Sequence, residues 1–184
     1  MRKFAVFFLI ILVATVIAAI YGIGHDQVTY SISPEYYTKF EFIQFGLANP
    51  LAAQHMTQPR SAVVMVGVLA TWWTGLIIGM ILGFTTLIFK DADTMFRSAL
   101  QALVLVFLVV MITGVIGGMY GHYVQAKKGV DWWLPEQLKD RGAFITVGSI
   151  HWFSYLGGAI GIVAGVVFLV VKNFRLRKRA RAEQ

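Results

Sequence analysis

Four apolar runs constrain this chain more than anything else in it. They cover residues 4–23, 61–89, 98–120 and a stretch within 143–171, and none carries Asp, Glu, Lys or Arg between its ends. A bilayer core of ~30 Å needs about 20 such residues in a helix. The expected fold is therefore an all-α membrane protein, a four-transmembrane-helix bundle. What remains is short: an outer segment 24–60, an inner loop 90–97, an outer loop 121–142 and a basic tail 172–184. A single membrane domain over 1–184 follows, with no room for a separate soluble enzyme. The chain is 58% hydrophobic and 14% charged, far from a soluble average. The second and fourth runs exceed what a bilayer requires, so each is expected to project or tilt.

Basic residues orient the bundle. Arg2 and Lys3 precede the first run, and Lys172, Arg175, Arg177, Lys178, Arg179 and Arg181 follow the last. The segment between the first two spans holds only Lys39 and Arg60 against Asp26, Glu35 and Glu41. Both termini are expected in the cytoplasm of a bacterial inner membrane. The first run exceeds the 7–15-residue core of a signal peptide and is expected to be retained. The basic tail reads as a topological or lipid-facing cluster, not as a nucleic-acid contact. With no cysteine, disulfides, thiolate metal sites and thiol redox relays are excluded. The uncharged spans argue against a pump or a charge-coupled transporter.

Small residues say how the helices meet, because lipid offers them no hydrophobic incentive to associate. Gly75, Gly79 and Gly83 recur at four-residue spacing, as do Gly157, Gly161 and Gly165, and the third run has Gly114, Gly117, Gly118 and Gly121. Glycine-rich helix interfaces are expected, with self-association into a homo-oligomer or docking into a larger membrane complex as further uses. In the outer segment, Val28, Tyr30 and Ile32 alternate with polar residues and predict a short strand. Ser33-Pro34-Glu35 then predicts a helix start. Tyr36, Phe40, Ile43 and Leu47 make one apolar face of an amphipathic outer-surface helix, with Thr38, Lys39, Glu41 and Gln44 on the other. Trp132 and Trp133 suit the headgroup layer, and residues 135–141 predict a brief surface helix.

The histidines are the candidate chemistry. Counting from the inner anchors at 1.5 Å per residue places His25, His122 and His151 about 33, 37 and 31 Å above the cytoplasmic edge. Three helices thus bring an imidazole to one level. His151 shares a face with Ser154, Gly158, Gly161 and Gly165, His25 falls with Ala14, Ala18 and Gly22, and His122 lies at the margin of its glycine face. Gly67 and Thr71 are expected nearby, with Trp72 as an aromatic wall. Imidazoles from different helices of a bundle are how such folds build metal or haem sites. Copper or zinc would suit His25, His122 and His151 with Asp26 as ligand or orienter, and haem ranks behind them. Glu35 and His55 are reserve ligands from the loop. The alternative is that these histidines hydrogen-bond as an interfacial polar cap, in a structural or accessory protein without cofactor. A third reading is a passive binder or conduit for a small neutral or lipidic molecule.

The stretch HDQVTYSISPEYYTKFEFIQFG, residues 25–46, together with GSIHWFSYLGG at 148–158, resembles the signature of a family of small four-span bacterial inner-membrane proteins without an established activity. The resemblance implies location and span count, and no chemistry.

Overall fold

The structure, a computed structural model, describes residues 2–182; residues 183–184 of the expected tail lie outside that range. It contains four helices long and apolar enough to cross a membrane: α1 (Arg2–Ile32), α5 (Pro59–Thr86), α6 (Ala92–Tyr120) and α8 (Arg141–Ala182). Between α1 and α5 a strap folds over one end of the bundle. It is built from α2 (Pro34–Tyr36), a π-helical turn (Tyr37–Glu41), α3 (Phe42–Gln44) and α4 (Pro50–Gln54). A second π-helical turn (Gly121–Gln125) and α7 (Ala126–Lys128) prolong α6. The opposite end collects both termini and the short turn into α6. Arg2 bonds Asp93 at 3.1 Å there, and Arg177 reaches the Ile88 carbonyl at 3.4 Å.

Two expectations about local structure are corrected. Residues 28–32 of the predicted strand are instead the last turn and a half of α1, and Ser33, in extended conformation, leads into α2. Its polar residues are satisfied inside the helix: Thr29 Oγ1 donates to the His25 carbonyl at 3.1 Å and Ser31 Oγ to that of Gln27 at 3.0 Å. Arg60 then clamps this turn, donating to Gln27 Oε1 at 2.9 Å and Ser31 Oγ at 3.1 Å. Alternation over six residues was too short to outweigh a helix already nucleated and extended by the twenty before it. Residues 135–141 form turns and no helix before α8 begins at Arg141. Lys139 and Asp140 turn their N–H groups to the Glu35 carboxylate, at 2.9 Å each. The fourth helix also runs well past 171, through the basic tail, to a length of about 63 Å.

The strap helix differs from its expected face pattern. A π turn admits one extra residue into the helix, so residues after Tyr37 are rotated relative to a regular 3.6-residue repeat. Tyr36, Tyr37, Glu41 and Phe42 are all buried, and Glu41, expected on the polar side, is 6% exposed. The strap ends on Gly46 at φ +68°, with Leu47 N–H on the Phe42 carbonyl at 2.8 Å and Gly46 N–H on that of Ile43 at 3.1 Å. That is a Schellman arrangement, which only a residue at ease with positive φ allows. Fully buried Tyr37 and Phe42 contribute about 1.5–3 kcal/mol each to holding the strap down.

Packing is strongest within two antiparallel helix pairs, α1 with α5 and α6 with α8; α5 and α6, though joined by a short turn, touch less. Glycines explain the pairing. A Cβ on Gly67 would lie 2.6 Å from the backbone of Gly22, and one on Gly75 would lie 2.6 Å from Ala14 O. In the other pair, a Cβ on Gly117 would meet the Phe153 side chain and, at 2.7 Å, Ser149 O. Thr71 Oγ1 donates across the first pair to the Ala18 carbonyl at 2.8 Å, a bond worth about 0.6 kcal/mol in such a setting. Apolar cores close the molecule at two levels. One, around Leu82, Met95 and Leu169, lies toward the termini; the other, around Tyr37, Phe42, Val63 and Phe144, lies under the strap.

Candidate metal centre

The site sits beneath the strap, where α1 and α8 meet it. His25 and Asp26 are consecutive on α1, about 100° apart around the helix, and their side chains turn toward each other. His25 Nδ1 lies 2.9 Å from Asp26 Oδ1. From α8, His151 Nε2 approaches the same oxygen at 3.7 Å, and the two imidazole centroids are 4.8 Å apart. The strap adds Glu41, whose Oε1 is 3.6 Å from His151 Nδ1. Side-chain exposures are 13% for His25, 3% for Asp26, 11% for His151 and 8% for Glu41, so water reaches the group poorly.

Polar neighbours surround this centre. Thr29 Oγ1 shares a 2.6 Å bond with Tyr37 OH and lies 3.4 Å from His151 Nε2. Ser154 Oγ is 3.4 Å from His25 Nε2 and accepts from Tyr21 OH at 3.3 Å. Tyr36 packs edge-on to His151 with centroids 5.0 Å apart. In the strap, burial and then the negative charge of Asp26 push the Glu41 carboxyl up to about 8. Burial likewise holds the Tyr36 and Tyr37 phenols above their ordinary value, so both remain neutral donors.

The electrostatic balance is unusual. Two carboxylates share a buried group, while the nearby cations are engaged elsewhere: Lys39 pairs with Glu35 at 3.2 Å and Arg60 with Gln27. Among the described residues, the buried side-chain oxygens without a hydrogen-bond partner are Asp26 Oδ2, Glu41 Oε2 and Ser98 Oγ. Two of the three belong to this one site. Buried acceptors left unpaired are costly, and buried carboxylates more so unless a proton or a cation balances them. His25, Asp26 and His151 each offer a donor atom within 4.8 Å of the others. Tetrahedral zinc with bonds of 2.0–2.1 Å places its donors about 3.3 Å apart, between the 2.9 and 3.7 Å found around Asp26 Oδ1.

Not all the expected ligands join this group. His122 is exposed and packs against Tyr123. The face of α6 that meets α8 is marked by Gly114, Gly117 and Gly121, and the residue after Gly121 is turned about 100° off it. His55 is exposed in the strap, and Glu35 caps the 139–140 turn, as described above. Trp72 and Trp73 are both exposed, at 45% and 43%; of the two it is Trp73 that lines the cavity reaching the site, stacked on Tyr155 at 6.4 Å. The statement that the spans are uncharged holds only to residue 23, since α1 continues and carries Asp26 inside the same helix. A haem between His25 and His151 does not fit, because rings 4.8 Å apart with a carboxylate oxygen against both leave no plane for the macrocycle.

Sequence reasoning missed Glu41, Thr29, Tyr37 and Tyr21. Glu41 did carry a signal: it is an acid flanked by Phe40 and Phe42 in a strongly apolar stretch. Tyr21 lies one helical turn before His25, which is also visible in the sequence. Comparison of the chain with family models, curated proteins and solved structures yields no match.

Proposed function

We propose that this chain is a multi-pass protein of the bacterial inner membrane that holds one divalent transition-metal ion at His25, Asp26 and His151, with Glu41 facing the other ring nitrogen of His151. The observation that carries this reading is the unpartnered, buried Asp26 Oδ2 in a carboxylate whose other oxygen lies between two imidazoles. A divalent cation offsets the negative charge of Asp26 and gives its orphaned Oδ2 a role, while Glu41, pushed up to about 8, stays protonated beside it. Imidazole and carboxylate donors suit zinc and copper(II).

In this reading the amino- and carboxyl-terminal ends face the cytoplasm, and the strap and the metal centre face outward. Glycine-faced interfaces rigidify the two helix pairs, and the strap shields the ion from water. The lipid bilayer is the partner of the outward-facing apolar side chains such as Phe4, Leu12, Ile20 and Val163.

Elemental analysis of the gently purified protein tests the proposal. One equivalent of zinc or copper per chain is expected. His151→Ala and Asp26→Asn should each weaken binding at least tenfold, about 1.4 kcal/mol or more, while Gly24→Ala, outside the site, retains the ion. A protein that purifies metal-free and takes up neither ion on titration overturns it.

A further inference from the structure

Because the helices pack tightly within pairs, the space between the pairs closes only at the two apolar cores. Between those cores lies a cavity of about 290 Å³ lined by all four long helices. Ala14 marks its far end and Asp26 its near one, some 18 Å apart along α1, so the cavity is long and narrow. Its walls are apolar, with Ile17, Ile77, Phe107 and Val110 among them.

Polar atoms still available to a ligand gather at one end. The hydroxyls of Thr71 and Thr74 also line the cavity, but each already donates to a helix carbonyl at 2.6 Å. Tyr21, Ser154 and His25 are linked only by contacts of 3.3 and 3.4 Å, near the outer limit for a hydrogen bond, which an oxygen of a ligand can replace. Among the described residues lining the cavity none is Lys or Arg, while Asp26 is there. A carboxylate or phosphate head is thereby disfavoured. Gly158 lines the cavity too, and a Cβ on it would meet no atom within 4 Å, so that position opens directly into the space.

We propose that this cavity binds a neutral single-chain amphiphile, a long-chain alcohol or carbonyl compound. Its oxygen hydrogen-bonds among Tyr21, Ser154 and His25, and its chain runs along α1 toward Ala14. Sites for small molecules are typically apolar with a few convergent polar groups, and this one lies where the apolar chain reaches it from lipid. The inference goes beyond the metal reading and holds with or without an ion.

The test uses hexadecanol bearing a photoreactive diazirine in its chain, irradiated with the purified full-length protein. Label is expected on the cavity-lining stretches of α1 and α8, competed by hexadecanol and not by equal palmitate or hexadecane. Gly158→Leu sends a side chain into the cavity from a position whose Cβ meets no neighbour and should cut labelling about tenfold; Gly24→Leu, at an exposed position whose Cβ is equally free, should not. Metal content read on the same samples separates the two proposals: an unmodified protein that retains the ion and takes no label counts against this one alone. Labelling that survives Gly158→Leu, or that hexadecane or palmitate competes equally, overturns it.

Discussion

Glu35 shows how one side chain can tether a segment. Its carboxylate accepts from Lys139 and Asp140 N–H and pairs with Lys39, tying the strap to the turn before α8. Partial burial pushes this carboxyl up, but the hydrogen bonds from Asp140 and Lys139, and then the Lys39 ammonium, outweigh burial and hold it below its ordinary value. A depressed folded-state value means stability that is fully present above the usual carboxylate range of about 4 and lost as pH falls through the folded value. Acidification should therefore raise protease cleavage and amide exchange across residues 34–56. In Glu35→Gln the strap should already be loosened at neutral pH, with a flatter response to acid; identical profiles for the two proteins would remove this tether from the account. At the same scale, the sequence showed that His25, Asp26 and His151 lie near one height, because rise per residue is constant in a helix. It did not show that His122 turns away, because its phase depends on where α6 meets α8.

At the scale of elements, the glycines do different work depending on what they face. Gly67 meets the backbone of Gly22 across the α1–α5 contact, whereas Gly24, two residues on, meets nothing. Gly67→Ala should cost about 1–3 kcal/mol through overpacking, and Gly24→Ala should gain about 0.5–1 kcal/mol through reduced chain entropy. Unfolding in mixed micelles, followed by circular dichroism, reads both; equal effects at the two positions would show that α1 and α5 are not packed this closely. The existence of these helices was legible from apolar run length. Their limits were less so, since Gly22 and Gly24 look like a helix end until α5 is seen backing one of them. The π turn at Tyr37–Glu41 left no signal in periodicity, and it is what moved Glu41 from the expected polar face into the site.

For the whole molecule, two tightly seamed helix pairs meet loosely and leave a cavity that ends at a buried polar centre. The absence of cysteine makes the orientation simple to test. Thr57→Cys and Lys128→Cys should react with a membrane-impermeant maleimide in intact spheroplasts, and Ala180→Cys only after lysis; the reverse pattern would invert the protein in the bilayer. The sequence by itself determined the number of spanning helices, the gathering of both ends on one side of the bundle, and the level at which imidazoles occur. These are properties of length along the chain, and length adds up reliably. Only the tertiary structure decided which side chains converge, that Glu41 joins them while His122 does not, and that a cavity lies below. Those depend on rotation about each helix axis, where one inserted residue shifts everything after it by about 100° and only packing against a neighbour sets the angle.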